Sequence, residues 1–155
     1  MNHIARQGLR SRFWETTAPA DMSRAEWEAL CDGCGKCCLI KLEDEDTGDI
    51  AFTNIACRLF DDSTCSCGNY DMRTELVGGC VKLSPKNIGE NAHWMPETCA
   101  YRVLHEGGPL PFWHPLETGR ATSVKEAGVS IEGQTVAEYE VDEYDYEDYV
   151  TEEIR

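Results

Sequence analysis

Residues 31–38 read Cys31-Asp32-Gly33-Cys34-Gly35-Lys36-Cys37-Cys38, a C-x2-C-x2-C-C run from which the rest of the chain is best interpreted. A C-x2-C pair lets two thiolates approach one ion from a tight turn, a device shared by zinc sites and iron–sulfur clusters. Gly33 and Gly35 allow the backbone to wrap closely around such an ion. Burial of thiols as small hydrophobes does not account for the run, because it is polar and glycine-rich rather than core-like. Cys38 directly follows Cys37. Neighbouring side chains diverge, to opposite faces in a strand or by about 100° around a helix. Either the two serve neighbouring centres, or one ligates while the other packs.

Five more cysteines follow, Cys57, Cys65, Cys67, Cys80 and Cys99, making nine in all. Cys65 and Cys67, two apart, face the same way if extended and can converge on one centre. Eight thiols would fill two four-thiolate sites and leave one over. An odd number fits poorly with a closed disulfide framework. The opening MNHIARQGLRSRFWE is basic without a following apolar run, so no secretory signal is expected. No stretch approaches the roughly 18 apolar residues of a membrane helix. A cytoplasmic location is therefore expected, where thiols stay reduced and dense cysteine means metal more often than disulfide. The expected ligands are Cys31, Cys34, Cys37, Cys38, Cys57, Cys65, Cys67, Cys80 and Cys99. Soft thiolates suit zinc, iron or copper(I), and an iron–sulfur cluster is the alternative form. The three thiols at successive x2 spacings resemble a bacterial ferredoxin ligand loop, but no x3-C-P follows. A purely thiol-based redox role lacks the βαβ context that would support it.

The chain has 155 residues, enough for one domain with a modest core. Lys+Arg number 14 against Asp+Glu 29, a net charge of −15, which repels phosphate backbones and excludes nonspecific nucleic-acid binding. Cations or a basic protein partner match it better. The acidic run from Glu43 to Asp49 reads as an exposed loop. It fits a calcium loop poorly, because Gly48 falls one position early and the twelfth position is Ile55. His3, His93, His105 and His114 read as packed or surface residues, with His93 the substitute ligand nearest Cys99. No nucleophile motif, phosphate loop or paired-carboxylate signature stands out, so no catalytic residue is assigned.

Regular structure is expected to be short. Ser23 with Glu26 three residues on forms a capping box, and Trp27 and Leu30 then share one helical face running into Cys31. Residues 50–56 predict a strand leading to Cys57, and the turn-like DDST before CSC predicts a hairpin bringing Cys57 near Cys65 and Cys67. Gly78 and Gly79 mark a turn before Cys80, and Ser84-Pro85 a short helical turn through Ile88. Pro96 to His105 predicts the second main helix, stopped by Gly107 and Gly108. GGPLPFWHPLETG reads as an ordered loop, and VSIEGQTVAEYEV as a strand pair turning at Gly133. The expected layout is an arm over 1–20, a cysteine-cluster domain over 21–119, a strand pair within 120–136 and an acidic, disordered tail over 137–155. The expected fold class is α+β, small and loop-rich, with two main helices and short strands organised around a cysteine-ligated metal centre.

The motifs MSRAEWEALCDGCGKCC, LEDEDTGDIAFTN, CRLF with CSCGNYDMR, CVKLS, WMPETCAYR and LPFWHPLETG are long and collinear from about Phe13 to Gly119. In them the chain resembles the bacterial CxxCxxCC cysteine-cluster family, a zinc- or iron-chelating domain, and within it the YcgN-type branch. The four clustered cysteines match the motif that names the family, and the later five fall in matching segments. The resemblance implies a metal-binding cytosolic protein and supplies no reaction. Three functions follow as expectations: a metal-binding module holding zinc or iron; an iron–sulfur protein with an accessory redox or enzymatic role; and a zinc-stapled scaffold whose acidic tail recruits a basic partner.

Overall fold

A computed structural model describes residues 8–77, 80, 82–152 and 154. Residues 1–7 of the expected arm and the Gly78-Gly79 turn lie outside the described residues. The elements run α1 (Phe13–Thr16), α2 (Arg24–Ala29), β1 (Leu39–Glu43), β2 (Ile50–Ala56), β3 (Phe60–Asp61), β4 (Ser66–Cys67), α3 (Arg73–Leu76), α4 (Ile88–Asn91), α5 (Ala100–His105), α6 (Pro115–Thr118), α7 (Ser123–Glu126) and β5 (Val136–Ala137). The fold is a small, loop-rich mixture of helix and strand, and α2 and α5, six residues each, are its longest α-helices among the described residues. Among the described residues no helix is long and apolar enough to cross a membrane. The chain divides into two compact units, residues 1–33 with 83–129, and residues 34–82 with 130–155. The boundary after Gly33 falls inside the cysteine run.

The first unit is helical. The capping box forms as the sequence predicts: the Glu26 N–H donates to Ser23 Oγ at 3.1 Å and the Ser23 N–H to Glu26 Oε1 at 2.9 Å. Two orphan donors of the first turn are thereby satisfied. Glu26 also receives the Arg10 guanidinium at 2.6 Å, which ties the segment before α1 to α2. Phe13, Trp27, Leu30, Ile88, Ala100 and Leu116 belong to one buried cluster. Trp27 lies 4.5 Å from the Tyr101 ring, and the Tyr101 hydroxyl donates to Trp27 O at 2.8 Å. The second main helix begins later than Pro96. The Cys99 N–H closes a turn on Pro96 O at 2.9 Å, so Cys99 is the N-cap of α5 rather than a residue within it. Gly107, at φ 83°, ends α5 as the glycine pair predicts. The proline-rich GGPLPFWHPLETG is not all loop, because Pro115 at the first helical position starts α6.

The second unit is built on β2. Its strand Ile50–Ala56 is the one the sequence predicts, and it pairs antiparallel with β1, a strand the apolar pattern did not reveal. The register shifts between Leu39 and Lys41, a bulge that bends the strand just after the cysteine run. On its other edge β2 pairs parallel with β5, Ile55 opposite Val136. The expected strand pair around Gly133 therefore reduces to one short strand, which joins β2 instead of folding back on itself. β3 and β4 form the expected hairpin, with Phe60 opposite Cys67. Leu39, Phe52, Ala56, Cys65 and Ile131 make the core of this unit. The acidic C-terminal segment carries 3-10 turns at Glu138–Glu140 and Glu143–Tyr149. The Thr151 N–H donates to Phe52 O at 2.9 Å, next to a bridge between Thr53 and Val150.

Candidate metal centre

Seven of the nine cysteines fall in the second unit and two, Cys31 and Cys99, in the first. None of the nine forms a disulfide. Gly35, at φ 83°, turns the chain into a single 3-10 turn, Lys36–Cys38, which the Cys38 N–H closes on Gly35 O at 3.0 Å. That turn presents Cys37 to solvent and leaves Cys38 half-buried. The Cys57 N–H then donates to Cys38 O at 2.8 Å, so β1 and β2 hold these two residues side by side. Past Cys57 the chain turns sharply, the Phe60 N–H meeting Cys57 O at 2.8 Å and the Leu59 N–H directed at Cys57 Sγ at 3.5 Å. The β3–β4 pairing returns Cys67 to this corner, while the Cys80 N–H donates to Val77 O at 3.1 Å.

The thiols feel one another. The Cys38 thiol is pushed far up from its ordinary value by the Cys37 thiol beside it, by burial, and by charge on Cys37, Cys57 and Cys67. Burial raises the Cys57 thiol, opposed by the Leu59 N–H, with Glu138 and Cys67 adding repulsion. Burial also raises Cys80, Arg73 opposes it, and charge on Cys37, Cys57 and Cys67 adds to the rise. Cys37, Cys38, Cys57, Cys67 and Cys80 all belong to the second unit. Among the described residues, however, no three His, Cys, Asp or Glu side chains stand in a metal-coordinating group. The donor set fits a soft cation, because thiolates that disfavour each other's charge are stabilised by a positive ion among them.

Cys34 and Cys65 are core residues of the second unit, 7% and 8% exposed. The Cys65 thiol donates to Cys34 O at 3.3 Å and lies 3.4 Å from Ser130 Oγ. Cys65 adopts the left-handed region at φ 52°, a conformation uncommon outside glycine. A Cβ on Gly35 would lie 2.8 Å from Cys65 Sγ, so this packing requires glycine there. In the first unit, Cys31 follows α2 directly, and the carbonyl before it, Leu30 O, is 2.8 Å from His114 Nε2. The Leu116 N–H donates to His114 Nδ1 at 3.0 Å. Both ring nitrogens are therefore engaged, and His114 is a packed residue, as expected. His93 and His105 are exposed.

Lys41 is the component that sequence reasoning missed. Its ammonium donates to Cys37 O at 3.0 Å and Leu39 O at 3.2 Å and lies 5.5 Å from the centre of the Phe52 ring. Burial lowers it from the ordinary lysine value, while charge on Cys37, Cys38, Cys34 and Cys80 opposes that. Its position three residues after Cys38 was the available signal.

Fold and side chains define a small cysteine-cluster protein of mixed helix and strand. Residues 30–100 match the CxxCxxCC family model, described as "Putative zinc- or iron-chelating domain". A UPF0260 protein of Rhodobacter capsulatus is 52% identical over 146 residues, covering 94% of this chain and 97% of the relative. One from Parvibaculum lavamentivorans is 54% identical over 135 residues, 87% of this chain and 88% of its own. One from Cellvibrio japonicus is 52% identical over 138 residues, 89% and 93% of the two chains. The chain belongs to this UPF0260 family and carries its CxxCxxCC segment. No solved structure matches it.

Proposed function

We propose that the protein holds zinc or iron through the thiols gathered in its second unit, Cys37, Cys38, Cys57, Cys67 and Cys80. The observation that carries this reading is the chain path that sets Cys57 beside Cys38, the Cys57 N–H donating to Cys38 O at 2.8 Å, and returns Cys67 on the β3–β4 hairpin. The description of the matched family supports the same chemistry. A bound ion supplies positive charge that brings the thiolates together and ties the loops that carry them. The chain's own part is to present the donors: Gly35 sets the turn for Cys37 and Cys38, the β1–β2 ladder sets Cys57 beside Cys38, and the hairpin returns Cys67. Cys34 and Cys65 support the turn from the core. Cys31 and Cys99 belong to the other unit and are candidate ligands there.

Four cysteine thiolates hold iron–sulfur clusters as they hold structural zinc, so an iron–sulfur cluster is the second reading. Metal content of single-cysteine variants tests the proposal. Cys38→Ser and Cys67→Ser are each expected to lose most bound zinc or iron. Full metal content in both, with native circular dichroism, would remove these thiols from the ligand set.

A further inference from the structure

Lys41 occupies a place that strand formation does not require. It sits on β1 opposite Phe52, where an exposed lysine would extend into solvent. Instead its side chain turns back along the strand, past the bulge, to two carbonyls that belong to the cysteine turn and its exit, Cys37 O and Leu39 O. Those two bonds use two of the three ammonium N–H groups and fix the charge beside Cys37 and Cys38. The Phe52 ring face supports the cation from the strand side.

We propose that Lys41 is a positioning residue of the thiol group: its ammonium braces the Cys37–Cys38 turn and supplies a fixed counter-charge to the metal–thiolate assembly. The inference rests on the metal-binding reading above. Four thiolates around a divalent ion leave two formal negative charges uncompensated, in a chain already at −15. A partly buried ammonium beside them offsets one. Hydrogen bonds to Cys37 O and Leu39 O, on either side of Cys38, also fix how the thiols of this turn are presented, the role that outer partners play around metal ligands.

The test uses the full chain, freed of metal, with Zn²⁺ added in competition with a chromogenic chelator. Lys41→Met keeps the length and removes the charge, Lys41→Gln keeps an N–H donor without the charge, and Lys41→Arg keeps the charge. Met and Gln are expected to weaken Zn²⁺ binding by about 10–100-fold, and Arg to recover most of it. Absorption on adding Co²⁺ gives a second readout, with weaker thiolate-to-cobalt bands in the two uncharged variants. Wild-type affinity in a folded Met or Gln variant overturns the inference, as does an Arg variant that falls as far as they do. A wild-type chain that takes up neither ion overturns the metal-binding reading itself, an outcome distinct from normal wild-type binding with indifferent Lys41 variants.

Discussion

Replacing His114 with alanine removes a side chain that is fully buried and bonded at both ring nitrogens. The Leu30 carbonyl and the Leu116 N–H would each lose their partner, at about 1–3 kcal/mol apiece for a buried unsatisfied group. Packing lost around the ring adds to this, and about 3–5 kcal/mol in total is expected for His114→Ala. That is a large part of the roughly 5–15 kcal/mol that keeps a domain folded. At about 2–4 °C per kcal/mol for a chain of this size, the melting temperature should fall by about 10 °C. His114→Asn separates the two bonds. Asparagine is a good N-cap and keeps an acceptor for the start of α6, but it is too short to reach Leu30 O, so an intermediate loss is expected. Burial lowers His114 below the ordinary 6.5, with the Leu30 carbonyl, Asp32 and Glu117 pulling the other way. The unfolded chain therefore binds the proton more readily. This contribution to stability is complete above pH 6.5 and fades as the pH falls toward the lowered folded value. Thermal melts followed by circular dichroism between pH 5 and 8 read both effects. An alanine variant that melts with the wild type, or that keeps the wild-type acid slope, refutes the reasoning.

Gly35→Ala places a methyl group 2.8 Å from Cys65 Sγ and 2.9 Å from Ile131 Cγ1, at a backbone φ of 83°. Strain alone costs about 1–3 kcal/mol, so a lower melting temperature together with weakened metal retention is expected; unchanged values for both contradict the packing described. Glu26 is held at about 2 by the Arg10 side chain and the Ser23 N–H, against burial. Its contribution is complete above the ordinary 4.5 and is lost as the pH falls toward 2, so Glu26→Gln should flatten the acid limb of stability seen between those values. An unaltered acid limb would show that the pairing adds nothing.

Local signals were legible where one short motif decides a local structure. The Ser23–Glu26 capping box, the strand over Ile50–Ala56, the hairpin that returns Cys67 and the Gly107 stop each depend on residues close together in the sequence. Pairings made at a distance were not. β1 follows the cysteines as Leu-Ile-Lys-Leu-Glu, with no clean alternation, and it is a strand because β2 offers it a partner. Val136–Ala137 extends the same sheet in parallel, which no local turn could announce. The chemistry of the cysteine run was visible in its spacing. Its division was not: spacing cannot tell that Cys65 turns its thiol into the core toward Cys34 O, or that the chain passes from one unit to the other after Gly33. The nearness of Lys41 to Cys38 in sequence did not reveal its role for a similar reason, because only the bulge and the folded-back side chain bring its charge to the thiols.

Metal binding by the thiols is read by elemental analysis with an absorption spectrum on protein purified without oxygen. At least about one zinc or iron per chain is expected, with zinc giving no visible band and an iron–sulfur cluster giving broad absorption toward the blue. Chelation should then lower the melting temperature sharply, because structural zinc contributes about 10–16 kcal/mol in small metal-folded domains. Protein that emerges without metal, takes up none on reconstitution with Zn²⁺ or Fe²⁺, and melts the same with and without chelator would contradict it.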